Sequence, residues 1–351
     1  MSDTSIEEAL LERLKSFGGT PTKPAANAPD VQRLDPATIN TIVRVPIRQA
    51  FVKTPQYVQV ELAVRHLLKR ALPVNIAMFG PAGSGKSECA EHLTHELAGV
   101  YHAYSCNRLT DQYELFSYEG VTSENGVSIT KKLDGFVTSA ARRARDEWHS
   151  AASEQRVPTL HTCHLEELNF ANPGSIGPLA QLLSGSGRLV CKDGEVIERT
   201  PNFLFFVSYN EGYAGTQTVN EAMIRSRFRV FEFGYMDSEI EKRIINAAYP
   251  SLPADAVDCF LAMTAAVRSA KADAKEDIRF DMCLRTVFDL IECWLSLIGE
   301  AGFTDSFDTM LRTFEIVVLP KIGGTARHSK AHGALVQGVR LALSPLYGHK
   351  S

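Results

Sequence analysis

The sequence predicts an α/β fold, a parallel five-stranded sheet domain with β-hairpin inserts, followed by an all-helical domain. Three observations carry this. From about residue 57 to 235, short apolar runs alternate with amphipathic stretches, the pattern of strands and helices that cover a parallel sheet on both faces. One apolar run, VNIAMF (74–79), leads straight into a glycine-rich turn and then a helix-forming stretch. After Asp237 the strand-like runs stop.

Each element follows in order. Residues 4–17, SIEEALLERLKSFG, put Ile6, Leu10, Leu14 and Phe17 on one face of a short helix that Gly18 ends. GTPTKPAANAPD (19–30) has the composition of a flexible tether, so 1–45 is expected to form a separate leading segment. The α/β domain is expected over 46–236. It opens with the helix YVQVELAVRHLLKRA and the strand VNIAMF. Beyond the glycine-rich turn come a helix, ECAEHLTHELA, and a strand near VYHAYS. VTSENGVSITKKL predicts a hairpin turning at Asn125-Gly126, residues that accept positive φ. A helix over GFVTSAARRARDEWHSAA precedes the strand TLHTCHL, and PGSIGPLAQLLSG reads as a further helix. GRLVCKDGEVIERT predicts a second hairpin turning at Asp193-Gly194. FLFFVS (203–208) and FRVFEFGY (228–235) supply the last two strands. Over 237–351, SEIEKRIINAAY, ADAVDCFLAMTAAVRSAKA, CLRTVFDLIECWLSLIG, SFDTMLRTFEIVVL and a run through HGALVQGVRLAL predict helices.

Composition excludes some classes. With 44% hydrophobic residues, 22% charged and a formal net charge of −4 over 351 residues, a dedicated nucleic-acid coat protein is disfavoured. Nothing after Glu315 is acidic, while Lys321, Arg327, Lys330, Arg340 and Lys350 follow. This basic C-terminal tail suits an acidic partner or nucleic acid, or a solvated helix face. Seven cysteines without a CxxC pair point to reduced thiols and a cytoplasmic protein. The acidic N-terminus lacks the features of a signal peptide, and no apolar stretch is long enough to span a membrane.

The chemistry starts at Gly80-Pro81-Ala82-Gly83-Ser84-Gly85-Lys86-Ser87, which fits GxxxxGK[ST] with a strand before and a helix after. Glycines let backbone N–H groups turn inward around phosphate oxygens, and the helix N-terminus adds partial positive charge. Lys86 is expected to reach the β and γ phosphates and Ser87 to ligate Mg²⁺. By chance the pattern arises in a chain this long about 1% of the time. A nucleoside triphosphate site is the reading, with ATP and Mg²⁺ as the expected ligands.

Such a site needs an acid at the end of another strand to hold the metal and a second to orient water. TLHTCHLEELNFANPG (159–174) offers Glu166 for the metal and Glu167 for the water. Adjacent strand residues point oppositely, so the two acids need not share a task. His161, Cys163 and His164 do not fit HExxH, since Leu165 follows His164, and a zinc site would require ligands from elsewhere.

From about 50 to 300 the chain resembles the AAA+ ATPases, specifically the MoxR branch and its CbbQ/NorQ type of activator. LEELNFANPGSIGPLAQLL is similar to that branch's strand-end segment, except that Glu166 stands where an Asp is usual. In FLFFVSYNEGYAGTQTVNEAMIRSRFRVFEF (203–233), Asn210 resembles the first sensor, whose amide meets the γ-phosphate or the attacking water. The run from Gly212-Tyr213 to Arg225, Arg227 and Phe228 resembles the segment carrying the branch's trans-acting arginines, with Arg227 slightly preferred. Such a finger is worth about 10³–10⁵ in rate, or about 4–7 kcal/mol of barrier. DMCLRTVFDLI (281–291) resembles the second-sensor segment and makes Arg285 the lid candidate, with Arg279 its rival.

The resemblance implies a homo-oligomeric ring, expected to be a hexamer, which remodels or activates a protein client. A von Willebrand factor A domain protein is a possible adaptor. The hairpins would be the parts that press on a client. Three other readings stay open: a small-molecule kinase; a nucleic-acid-directed motor or restriction-type NTPase, favoured slightly by Arg142, Arg143, Arg145 and the basic tail; and a nucleotide-gated scaffold.

Overall fold

The computed structural model describes residues 42, 44, 49–124, 127–172, 174, 177–184, 187–191, 194–210, 221–273, 280, 282–299, 301, 303–322 and 330–348, with 118–124, 127–132, 221–223 and 330–332 described by backbone only. The expected helix at 4–17, the tether, the Asn125-Gly126 turn, Asp193, Gly212-Tyr213, Arg279, Arg327 and Lys350 lie outside the described residues.

Two compact units divide the chain, Lys53–Tyr235 and Met236–Ser351 together with the residues before Lys53. The first opens on α1 (Pro55–Lys69), where Thr54 Oγ1 accepts from the Tyr57 N–H and Pro55 occupies a position that needs no N–H. Tyr57, Val60, Val64 and Leu67 recur at helical spacing and are buried. β1 (Val74–Phe79) leads through the glycine-rich turn to α2 (Lys86–Glu96) and β2 (Val100–Ser105). A short α3 (Gln112–Leu115) precedes the antiparallel pair β3 (Ser117–Glu124) and β4 (Val127–Asp134). α4 (Phe136–Ser153) and β5 (His161–Glu166) come next, then α5 (Gly177–Leu182). The second hairpin is β6 (Arg188–Val190) with β7 (Val196–Glu198), and β8 (Phe203–Tyr209), α6 (Glu221–Arg227) and β9 (Arg229–Glu232) finish the unit.

The five-stranded sheet has the order β2-β5-β8-β1-β9, and every neighbouring pair is parallel. This is the predicted fold class: a P-loop α/β domain with two hairpin inserts, followed by helices. Its central strands β1, β5 and β8 are buried almost throughout, as expected where helices cover both faces.

The two inserts share an anchor on α4. Arg142 makes a two-point contact with Asp134, at the end of β4 (Nε–Oδ2 2.6 Å, Nη2–Oδ1 3.1 Å), and its Nη1 reaches Glu195, beside β7, at 2.7 and 2.8 Å. Arg145 adds a contact to Glu195 at 2.9 Å. Two of the three arginines that favoured nucleic acid are therefore engaged inside the unit, and this support for that reading falls away. Where the first insert returns to α4, Gly135 is required: an added Cβ would stand 2.4 Å from the Phe116 nitrogen and 2.6 Å from the Glu114 oxygen.

The second unit contains α7 (Ser238–Ala248), α8 (Ala254–Asp273), α9 (Leu284–Gly299), α10 (Phe307–Val317) and α11 (Lys330–Leu343). Phe260, Trp294, Phe314, Leu335 and Val339 fill its core, with the Phe260 and Trp294 rings edge to face at 5.8 Å. Arg268 grips the buried Glu241 carboxylate with both terminal nitrogens, at 2.7 and 3.0 Å. Ile42 packs in the same core and Arg44 lies 4.3 Å from the centre of the Phe288 ring. Ile42 and Arg44 thus belong with the helices.

Trp294 has no exposed surface. Trp294→Ala is expected to cost about 3–5 kcal/mol, read as a fall in denaturation midpoint that a conservative Trp294→Phe largely avoids.

Candidate functional site

Parallel register brings the ends of three strands together. Phe79 pairs with Tyr209, so β1 and β8 finish level, and their rings stack at 5.9 Å. Leu165 pairs with Val207, so Glu166 and Glu167 leave β5 beside the end of β8, where Asn210 follows. The glycine-rich loop, both acids and Asn210 therefore stand along one edge of the sheet, the carboxyl ends of its strands. Open α/β sheets take their ligands at this edge.

The loop has the geometry its residues predict. Gly80 (φ +141°) passes so close to β9's end that a Cβ would meet the Phe233 carbonyl oxygen at 2.1 Å. Gly83 and Gly85 also have positive φ, 69° and 88°. Gly85 starts α2 with no side-chain cap, which leaves the helix's first N–H groups for another acceptor. The buried Lys86 folds back over the loop, its Nζ donating to the carbonyls of Gly80 (3.0 Å) and Pro81 (2.7 Å) and to Ser84 Oγ (3.3 Å). Pro81, Ala82 and Ser87 are partly exposed along the same turn. An uncapped helix start, a turn without room for side chains and a lysine held by neutral oxygens together fit a polyphosphate.

Glu167 departs from strand geometry. Its backbone is left-handed (φ 52°, ψ 39°), while the other described non-glycine residues with positive φ, Ala71, Ala98 and Gln155, follow helices. The twist turns an exposed carboxylate out at the strand end. Such a conformation costs a β-carbon-bearing residue about 1 kcal/mol and points to a functional constraint. Glu166, at the last strand position, is about one-quarter exposed.

Asn169 was missed in the sequence, although it lies within the LEELNFANPG run. It is buried, and its Nδ2 donates to the Asn210 carbonyl at 3.0 Å, fixing the residue that ends β8. Its Oδ1 has no hydrogen-bond partner among the described residues.

The histidines have structural partners. Tyr101 Oη and Ser208 Oγ lie 2.7 and 3.0 Å from the two ring nitrogens of the fully buried His164. His161 and His102 stack at 5.4 Å, with ring nitrogens 3.1 Å apart. No cluster of three metal-binding His, Cys, Asp or Glu residues occurs among the described residues.

The arginines stand elsewhere. α6 ends at Arg227, whose carbonyl accepts from Asn75 Nδ2 (2.9 Å) near the start of β1. β9 then runs parallel to β1, Arg229 beside Ile76 and Glu232 beside Phe79. The end of α6 thus lies at the opposite sheet edge, about 13 Å along β1 from the loop at 3.3 Å per residue. Arg227 Nε donates to the Ala180 carbonyl (3.2 Å) of its own chain, whereas Arg225 is the exposed member of the pair. Arg285 is exposed on the first turn of α9, in the helical unit.

Residues 75–228 match the family described as AAA domain (dynein-related subfamily). The matched stretch resembles an AAA domain. It begins in β1 and ends beside α6, so it holds every predicted site residue except Arg285. An uncharacterised protein of Staphylococcus epidermidis is 32% identical over 173 residues, covering 49% of this chain and 59% of the relative. Uncharacterised proteins of Staphylococcus haemolyticus (31%) and Staphylococcus aureus (30%) match with the same coverage. The match thus spans a little over half the length of these relatives. Among solved structures, the Thermotoga maritima RuvB Holliday junction branch migration motor aligns with a TM-score of 0.45 and 14% identity, covering 74% of this chain and 68% of that one. That likeness is too slight to build on. No described helix is long and apolar enough to cross a membrane.

Burial in the α/β unit sets a pH dependence. Burial holds His164 down at about 3 and, with help from His161 and Arg143, His102 at about 4. Both are neutral in the fold, whereas an unfolded histidine takes a proton near 6.5. Their contribution to stability is thus full above pH 6.5 and is lost as pH falls from there towards 3. The expected slope from His164 is about 1.4 kcal/mol per pH unit. Thermal midpoints between pH 7 and 4.5 should fall accordingly, with a shallower slope in His164→Gln.

Proposed function

We propose that this chain is a ring subunit, in a homo-oligomer of hexameric type, that hydrolyses Mg-ATP and uses the resulting motion to remodel or activate a protein client. Within the AAA domains we assign it to the MoxR branch, CbbQ/NorQ-like. A von Willebrand factor A domain adaptor and a cytoplasmic site of action come with that assignment. One observation carries the reading. The loop, Glu166, Glu167 and Asn210 share one edge of the sheet, while Arg225 and Arg227 stand at the other. An arginine pair so far along β1 is at the wrong edge for its own phosphate loop, and a closed ring of head-to-tail copies would offer it the loop of a neighbour.

Each residue then has a task. Loop N–H groups between Gly80 and Ser87, with Lys86, bind the phosphates. Ser87 and Glu166 would hold Mg²⁺, which would supply positive charge to offset that of the phosphates. Glu167 takes a proton from the attacking water as its oxygen bonds the γ-phosphorus and the bond to the ADP oxygen breaks. Asn210, steadied by Asn169, orients that water or the γ-phosphate. Arg225 acts across the seam and Arg227 anchors α6, reversing the order preferred from sequence, because Arg225 is the more exposed of the two and Arg227 Nε donates to the Ala180 carbonyl. Arg285 is the candidate contact from the helical unit.

Lys86→Ala is expected to abolish nucleotide binding, measured by calorimetry; normal turnover in that variant would remove the loop from the mechanism. Glu167→Gln should keep ATP while hydrolysis stops, and partners captured with this trapped form would identify the client. Glu167→Gly should also stop hydrolysis yet leave the melting temperature unchanged or higher. Relief of a left-handed backbone, about 1 kcal/mol, offsets glycine's entropy. Subunits carrying Arg225→Ala and Arg227→Ala, mixed with Glu167→Gln subunits, should regain turnover that neither has alone. No recovery in rings that assemble would refute action in trans.

A further inference from the structure

Arg199 follows β7 and closes the base of the second hairpin, its own N–H donating to the Gly187 carbonyl at 2.7 Å. Among the described residues, its guanidinium meets neutral oxygens. Nη1 donates to Asn75 Oδ1 at 2.6 Å, and Nη2 donates to the carbonyls of Val74 (2.8 Å) and Phe203 (3.1 Å). The Phe203 ring centre lies 5.5 Å away. Burial pushes the guanidinium pKa down, to about 10. A sequestered cation with no carboxylate partner among the described residues costs free energy that a well-packed apolar residue would not, so fold stability alone does not account for an arginine here.

Asn75 shows what the arrangement accomplishes. It is buried in β1, and its amide is used at both ends: Oδ1 accepts from Arg199, and Nδ2 donates to the Arg227 carbonyl at 2.9 Å. The Arg227 carbonyl belongs to the last turn of α6, where helix carbonyls have no partner of their own. One side chain on a central strand therefore joins the root of an insert to the end of the helix that bears Arg225 and Arg227. Without Asn75, Ile224 and Phe228 would still bury the helix, but its last turn would lose the donor that fixes the Arg227 carbonyl.

We infer that Arg199 and Asn75 are positioning residues, a strut from the β6–β7 hairpin through β1 to α6 that sets the stance of the trans-acting arginines. The inference rests on the proposed trans action. It makes displacement of the second hairpin by a client a signal to the neighbouring subunit's nucleotide. The subunit's own nucleotide does not receive that signal directly.

The test uses full-length rings. Asn75→Asp retains the acceptor for Arg199 and removes the donor to Arg227. Arg199→Gln releases the hairpin and leaves the amide on Arg227. Each variant is expected to bind ATP with an affinity within about twofold of the parent, while kcat falls about 10–100-fold, as for other misplacements of a reacting group. The deciding readout is mixing with Lys86→Ala subunits, which hold no nucleotide but present intact arginines. If the strut positions the arginines, these partners restore turnover at the variants' own nucleotides. Damage confined to the variant's own pocket would not be rescued. Rings of Arg225→Ala/Arg227→Ala subunits with Lys86→Ala subunits are the control. Rescue of the control without rescue of Asn75→Asp and Arg199→Gln, or variants with unchanged kcat, would overturn the strut and leave the trans reading standing. A control that is not rescued would remove the trans reading and the strut with it.

Discussion

The parallel pairing of β1, β8 and β5 is the constraint on which the remaining features rest. Phe79 opposite Tyr209, and Leu165 opposite Val207, determine that the phosphate loop, the acid pair and Asn210 leave the sheet side by side. A slip of one residue in either pairing would carry these groups to the other face. The buried side chains of the three strands hold that register. His164 contributes specificity, since only this alignment sets its two ring nitrogens against Tyr101 of β2 and Ser208 of β8.

On this frame the chain concentrates unfavourable local features where chemistry is expected. Glu167 adopts a left-handed backbone at a strand end, Lys86 is buried among loop carbonyls, and α2 starts without a side-chain cap. Each is costly for the isolated subunit, and each becomes intelligible if a triphosphate and a water molecule occupy that edge. The opposite edge is organised differently. There Arg199, Asn75 and Arg227 satisfy one another with neutral acceptors, and Arg225 remains exposed.

Much of this was legible in the residues. The loop's spacing is dictated by the size of a phosphate, so eight consecutive positions, Gly80–Ser87, announce the site without any tertiary information. VNIAMF and FLFFVS are largely apolar because helices cover both faces, and their strands fall where that pattern sets them. What was not legible depends on distant partners. Asn75 meets Arg199 and Arg227 across 124 and 152 positions, and its place in VNIAMF predicts burial without naming either partner. Glu167's backbone twist has no signal in the sequence, since glutamate is not a residue that marks left-handed backbone. The preference between Arg225 and Arg227 turned on a single carbonyl of α5, which no spacing rule encodes.

The shared anchor of the two inserts on α4 has a consequence for modular design. Asp134 and Glu195 belong to different hairpins yet meet the same guanidinium of Arg142. Neither hairpin is thus a self-contained cassette. Transplanting one into another scaffold would take away one of the two carboxylates that hold Arg142, and a lengthened insert would have to keep its acid in place to avoid loosening its companion.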